Sequence, residues 1–328
     1  MASLAIPPIL CADEPSKARV REAIEVGVKL VQNAARNYPD HRDCFSCHHQ
    51  TLPMFAMDEA RASGFTIDEA LLAEQAEFTR DFYRSRVDRM RKGEGVGGRG
   101  FTAGYALWAL DIADDKKDAV SDALIEYLVK QQKPEGHWQR QSHRPPLEES
   151  HVTSTYLGAY YIERMLRQDA SGKEAAEAAM RRAREWLDSA KPKSLEDKTI
   201  HLFAADQLGN GQEVVGERRK VVLDAQREDG GWSQLDSMDS DAYATGQALY
   251  VLLETAGSDP PEAFQKGVER GVAFLLKTRK DDGSWHVVSR SKPIQRMFDN
   301  GDPHGKDQFI STPATAWSVA ALARYLRR

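Results

Sequence analysis

Along the C-terminal two-thirds of the chain, apolar residues recur at three- and four-residue steps in 154–166, 198–208, 242–255 and 314–326, with many small residues among them. That is the period of a helix buried around most of its circumference. Three other segments share a pattern of their own: Leu128 to Trp138, Val222 to Trp232 and Leu275 to Trp285. Each reads as the end of an amphipathic helix, then a glycine turn, then a tryptophan. Trp138 and Trp232 lie 94 residues apart and Trp232 and Trp285 lie 53 apart, so the longer interval has room for one degenerate unit at a period of about 47 to 50. Arg181 to Leu187, followed by Lys191, Pro192 and Lys193, fills that slot without a turn tryptophan. Upstream, 75–90 pairs with 101–112 across the glycine-rich link Gly93 to Gly100, and 18–35 pairs with 52–62. The pattern predicts an all-α chain of six helical hairpins and essentially no strand. A hairpin cannot bury its apolar face alone, so six in series stack as an open solenoid or close into a ring.

The glycine-turn-tryptophan segments resemble the QW motif of the terpene cyclase and prenyltransferase superfamily. Arg270-Gly271, Phe274-Leu275 and Gly283-Ser-Trp285 keep its pattern, with Arg279 in the place of glutamine. Leu128, Gln132, Gly136 and Trp138 keep it too, as do Val222, Gln226, Gly230 and Trp232. The resemblance implies an α/α toroid, an inner and an outer ring of six helices, over nearly the whole chain: a single domain at 15–328. The motif itself is structural and carries no activity.

Charge and composition narrow the function classes. Lys and Arg total 45 against 50 Asp and Glu, a net charge of −5, which excludes a generally basic nucleic-acid-binding surface. Residues 1–14 are apolar up to Asp13-Glu14 and resemble the back end of a signal peptide, with Ala12 as the last residue before cleavage. A frayed terminus is the alternative. The expectation is export, to the periplasm or its equivalent. No other apolar run reaches the roughly 18–20 residues that span a bilayer, so the chain is not expected to be an integral membrane protein.

Cysteine is scarce: Cys11, Cys44 and Cys47. The last two begin the sharpest chemical signal, Cys44-Phe-Ser-Cys47-His48-His49, which carries the Cys-x-x-Cys-His spacing of covalent haem attachment. Two residues between the thiols suit the separation of the porphyrin vinyls, and His48 follows directly as an axial iron ligand. A zinc site using Cys44, Cys47 and one or both of His48 and His49, a dithiol or disulfide site, and a chance pentapeptide are the other readings. For a sixth haem ligand the candidates are His151, His201 and His304, with Met54 and Met57 expected in the core. If that position is open, Arg99, Tyr105 and His151 are the distal residues that position suggests. Cys47-His-His-Gln50 with Leu52-Pro53, Arg144-Pro-Pro-Leu147, Ser240 to Leu249 and Pro303 to Ile310 also resemble a group of bacterial exported toroid proteins that carry a Cys-x-x-Cys-His motif near the N-terminus. That resemblance pairs haem motif and toroid in one chain but implies no activity; a bound haem is what points to a redox or electron-transfer role, or a haem-dependent oxidoreductase, with a redox partner.

A competing function lies in Asp236 to Thr245, which resembles the acid motif of squalene-hopene cyclases. Asp239 and Asp241 match its first two acids, with Asp241 as proton donor, while Ala242 and Tyr243 depart from it. Such an enzyme takes a small hydrophobic molecule into its central cavity. The other reading makes Ser240 or Asp241 the cap of the helix that begins at Ala242. The chain is about half the length expected of a two-domain triterpene cyclase, and no late cysteine is present for a prenyltransferase zinc. The glycine-rich link has no phosphate-loop lysine, and the arginines of 80–91 read as a solvated helix face. Tyr105, Trp108, Tyr156, Tyr160, Tyr243, Tyr250 and Trp317 either line a cavity or pack between the rings. A third possibility is a non-catalytic module with zinc at the cysteines.

Overall fold

The computed structural model describes residues 16–113, 117–140, 143–167, 170–294 and 296–328. The leader reading of 1–14, and Cys11 with it, lies outside the described residues. Among these residues helices pair as the hydrophobic period predicts: α1 (Lys17–Asn37) with α2 (Leu52–Ala62), α3 (Glu69–Arg84) with α5 (Arg99–Ile112), and α6 (Ala119–Gln131) with α7 (His151–Met165). Then come α8 (Lys173–Ser189) with α9 (Leu195–Gln207), α10 (Gln212–Asp224) with α11 (Ala242–Glu254), and α12 (Glu262–Thr278) with α13 (Gln308–Leu326). One difference is at 75–90: the helix starts earlier, where the Asp68 carboxylate accepts from Leu71 N at 3.1 Å, and breaks at Ser85-Arg86 before the single turn α4 (Val87–Met90).

The second helix of each pair packs against its neighbours in the order α2, α5, α7, α9, α11, α13 and back to α2, so the inner ring is closed. Helices α11 and α13 are buried around nearly their whole circumference, whereas the outer α8 buries only Ala176, Ala179, Ala183 and Leu187. The fold is the α/α toroid of the sequence reading, and no described helix is long and apolar enough to cross a membrane.

The three motif tryptophans do one job three times. Trp138, Trp232 and Trp285 are fully buried, and each indole Nε1 donates back to the last turn of its own outer helix: to Leu128 O at 2.7 Å, Val222 O at 2.8 Å and Leu275 O at 2.8 Å. Their backbone N–H groups donate to a threonine of the inner helix, Thr155, Thr245 or Thr315. The motif glutamines reach the next outer helix: Gln132 Nε2 donates to Ala179 O and Gln226 Nε2 to Gly267 O, both at 2.7 Å. In the last unit Arg279 replaces glutamine and pairs with Glu22 of α1 at 2.7 Å, joining the end of the ring to its beginning. In the degenerate unit the inner helix supplies the missing donor: His201 Nε2 bonds Leu187 O at 2.7 Å.

Candidate functional site

The N-terminal ends of the inner helices face one mouth of the ring, and two loops cross it: 143–150 ahead of α7 and, ahead of α13, the described residues 279–294 and 296–307. They are fastened to each other. Arg290 donates to Glu149 Oε2 at 3.0 Å and to Gln234 Oε1 at 2.8 Å, and Ser291 Oγ donates to Pro145 O at 2.8 Å. Over α7, α9 and α11 this leaves about 10 Å³, room for roughly one water. Over α2, α5 and α13 the mouth opens into a cavity of about 440 Å³.

The wall of that cavity includes Cys44, Cys47, His48 and His49. The Ser46 side chain accepts from His49 N at 3.3 Å and starts a wide π turn, Cys47–Thr51, that runs into α2, a conformation frequent at functional sites. Cys44 is half-buried, with its Sγ 3.3 Å from the Tyr38 hydroxyl. Cys47 is buried, its Sγ 3.5 Å from His48 Nδ1, and burial pushes its thiol up to about 12, assisted by the charge of Glu148. The same desolvation, with Arg144 adding to it, holds both imidazoles neutral, His48 well below its ordinary value and His49 at about 3. The His48 ring stands edge-on to Phe309 at 4.6 Å. His49 is committed elsewhere: its Nδ1 accepts from Asn300 Nδ2 at 2.9 Å, and its ring contacts Tyr38 and Phe298. Arg144, Lys292, Arg296 and Lys306 line the cavity against one carboxylate, Glu148. Helix N-termini add positive potential, so the cavity suits an anionic ligand with an apolar, aromatic-contacting body.

The other sequence candidates fall outside this cavity. His201 holds Leu187 O, as described. His304 Nε2 lies 2.6 Å from Ser284 Oγ with its ring over His286, and His151 at the start of α7 stacks on His137 at 5.3 Å. Arg99 is exposed and Tyr105 buried, and neither reaches the wall; Met54 and Met57 are fully buried, as expected. Among the described residues no group of three or more His, Cys, Asp or Glu side chains is placed to share a metal ion.

Asp239 is exposed. Asp241 is the N-cap of α11: Oδ1 accepts from Ala244 N at 2.9 Å and Oδ2 from Gln234 Nε2 at 3.0 Å, while burial pushes its pKa up to about 6. The ring axis beneath it is filled. Phe55 of α2 meets Trp108 at 5.0 Å and both Tyr250 and Trp317 at 4.9 Å, so these aromatics pack against one another across the ring. A carboxyl that the sequence reading missed is Glu196 on α9. It is buried beside the small cavity, accepts from Thr153 Oγ1 at 2.8 Å and Tyr243 OH at 3.0 Å, and is raised by burial to about 8.

The chain matches no protein-family model and no curated protein. It is similar in structure to the type II terpene cyclase MstE from Scytonema, with a TM-score of 0.61, 13% identity, and 95% of this chain and 99% of that chain covered. A wild-type glycosidase superposes with a TM-score of 0.60 at 12% identity over 96% of this chain and 99% of that one. The ent-copalyl diphosphate synthase of Streptomyces platensis follows with 0.52 at 15% identity, over 84% of this chain and 50% of that one. Two chemistries on one fold make the likeness one of architecture.

Proposed function

We propose that this chain is an exported c-type haem protein that uses the toroid as a rigid mount for a redox centre. The observation that carries the reading is the placement of Cys44, Cys47 and His48 together on the wall of the 440 Å³ cavity in the cation-rich mouth. The donor set suits haem. Each thiol can add its S–H across a vinyl C=C to form a thioether without an oxidant, and a neutral imidazole presents a lone pair to iron. A bound haem supplies a one-electron iron couple. Around it, Arg144, Lys292, Arg296 and Lys306 would hold the two propionates, and Phe309 would lie against His48 and limit its rotation.

A second reading is acid chemistry on a small hydrophobic molecule, as a type II terpene cyclase performs it; a variant of MstE is solved with geranylgeranyl dihydroxybenzoate as substrate. The observation favouring it is that Asp241 and Glu196 are buried carboxyls whose protonated forms persist to about pH 6 and 8. Against it stand the helix-capping bond and the Gln234 bond that occupy both oxygens of Asp241, and the aromatic packing on the ring axis.

Production alongside a periplasmic haem-attachment system distinguishes the two. The expected result is an intact mass increased by one haem, a Soret band, and sharpened visible bands after dithionite. C44A and C47A each leave at most one thioether, and H48A disturbs the iron spectrum. A protein with neither Soret band nor mass gain removes the haem reading. Turnover of squalene or isoprenoid diphosphates, lost in D241N or E196Q, would establish the second.

A further inference from the structure

We propose that the lip of the open cavity is a docking surface for an anionic phospholipid membrane, which the toroid meets mouth first; this goes beyond the haem reading and does not depend on it. Among the described residues the large apolar side chains left most exposed are Ile294 at 66%, Val288 at 65%, Met297 at 60% and Val221 at 49%. Three of the four fall in one stretch of the loop ahead of α13, and the fourth sits on the outer helix α10. Residues 287–298 carry Arg290, Lys292 and Arg296 and no acid, in a chain whose net charge is −5. Lys292, Ile294, Arg296, Met297 and Lys306 are exposed and also line the cavity, so they form its lip. The carboxylates nearby have other partners: Glu149 holds Arg290 at 3.0 Å, Asp307 holds His286 at 3.0 Å, Asp302 accepts from Thr312 Oγ1 at 2.8 Å, and Asp299 accepts from Gly301 N at 2.9 Å.

The exposure is built into the loop. Between the protruding side chains the backbone is fastened at Ser289, whose N–H donates to Asp307 Oδ1 at 3.0 Å, and at Ser291, whose hydroxyl donates to Pro145 O at 2.8 Å. Arg296 O accepts from Arg42 at 2.5 Å, and the Phe298 ring packs on Tyr38 at 5.8 Å. Val288, Ile294 and Met297 are thus held outward between anchors. In a bilayer interface their apolar area leaves water while the cations beside them meet phosphate headgroups. A protein partner has to supply a hollow matched to three protrusions, whereas a lipid interface closes around protrusions of any outline. The net-acidic remainder of the chain is repelled by the same surface, which turns the mouth towards it. Two haem propionates held in the cavity would neutralise part of the positive charge, so in the loaded protein the apolar side chains carry the larger share.

Co-sedimentation with vesicles of mixed phosphatidylglycerol and phosphatidylcholine, and of phosphatidylcholine alone, tests this. The full chain is used both haem-free and covalently loaded, so that failure of haem attachment leaves the vesicle result standing. Wild type should pellet with the anionic vesicles, less so as salt rises, and stay in solution with phosphatidylcholine alone. V288S/I294S should bind about tenfold more weakly, and K292Q and R296Q each up to about fivefold more weakly, all with wild-type helical circular dichroism. V221S should bind as wild type does. Wild type that ignores anionic vesicles overturns the proposal. Binding that V288S/I294S, K292Q and R296Q all leave unchanged overturns it too, since another surface, such as the apolar residues 1–14, would then carry the binding. Retention on immobilised polyglutamate without vesicle binding overturns it in favour of an acidic protein partner.

Discussion

His201 shows how one side chain can look like a ligand in sequence and be a structural donor in space. A histidine on an inner helix of a haem-motif protein invites an axial role, but its ring supplies the N–H that tryptophan supplies in three other units, and Leu187 O receives it at 2.7 Å. Replacing His201 by Phe keeps a ring in the gap and leaves that carbonyl unpaired, so it should cost about 1–3 kcal/mol, read by urea unfolding. The iron spectrum of the loaded variant should not change; a changed spectrum would make His201 a ligand. At this scale the Cys44-to-His48 spacing, on which the haem proposal rests, is a local signal: five consecutive residues that fall together on the wall of the cavity. Glu196 is not, because its meaning comes from partners more than forty residues away on either side. It follows the N-cap Ser194, where an acid is ordinarily a solvated first-turn residue; only the packing of α7 and α11 on either side of α9, which brings Thr153 and Tyr243 onto it, buries it.

Between elements, the Glu196 carboxyl joins α9 to α7 through Thr153 and to α11 through Tyr243, with no cation beside it among its hydrogen-bond partners. Its folded pKa of about 8 lies above the 4.5 of an ordinary glutamate, so the folded state holds a proton that the unfolded chain has released. Stability therefore falls as pH rises from 4.5 towards 8, and the contribution is fully present only below the unfolded value. Two groups shift the same way, Asp241 to about 6 and Glu59 to about 7, whereas His49, lowered to about 3, adds stability as pH rises to 6.5 and is then constant. Between pH 6.5 and 8 the carboxyls alone remain, and Glu196 alone can remove at most about 2 kcal/mol. E196Q should flatten denaturant midpoints measured across that window, and an unchanged slope would show that Glu196 is ionised when folded. Helix pairing was legible from the 3.6-residue period of each run, and the degenerate fourth unit from its spacing. The break that separates α3 from α4 was not, because the apolar period continues across Ser85-Arg86.

The whole molecule differs from an open solenoid at one seam, where the last unit meets the first. There Arg279 reaches Glu22, and Gly283, at φ 89°, turns the chain so closely against α1 that a Cβ would run into Val26. Gly136 and Gly230 hold the same place in earlier units, at φ 101° and 87°, where a Cβ would meet the backbone carbonyls of Arg182 and Arg270. The turn tryptophan and its glycine thus fix the spacing of one outer helix to the next, and the copy at the seam fixes it around the circle. A linear array unfolds unit by unit, whereas a ring has no terminal unit to fray and should unfold in one step. G283V forces a β-branched residue into a left-handed turn and pushes on α1, at a cost on the order of 3 kcal/mol. G64V is its control, since Gly64 has φ 82° but open space around its Cβ and carries only the conformational cost. If the seam holds the first hairpin in place, G283V in the haem-free chain will expose Cys44 and Cys47 to alkylation at urea concentrations where circular dichroism is still native, and G64V will not. Identical alkylation curves for the two variants would mean that the haem-motif loop is held by its own hairpin and that closing the ring contributes nothing to the site.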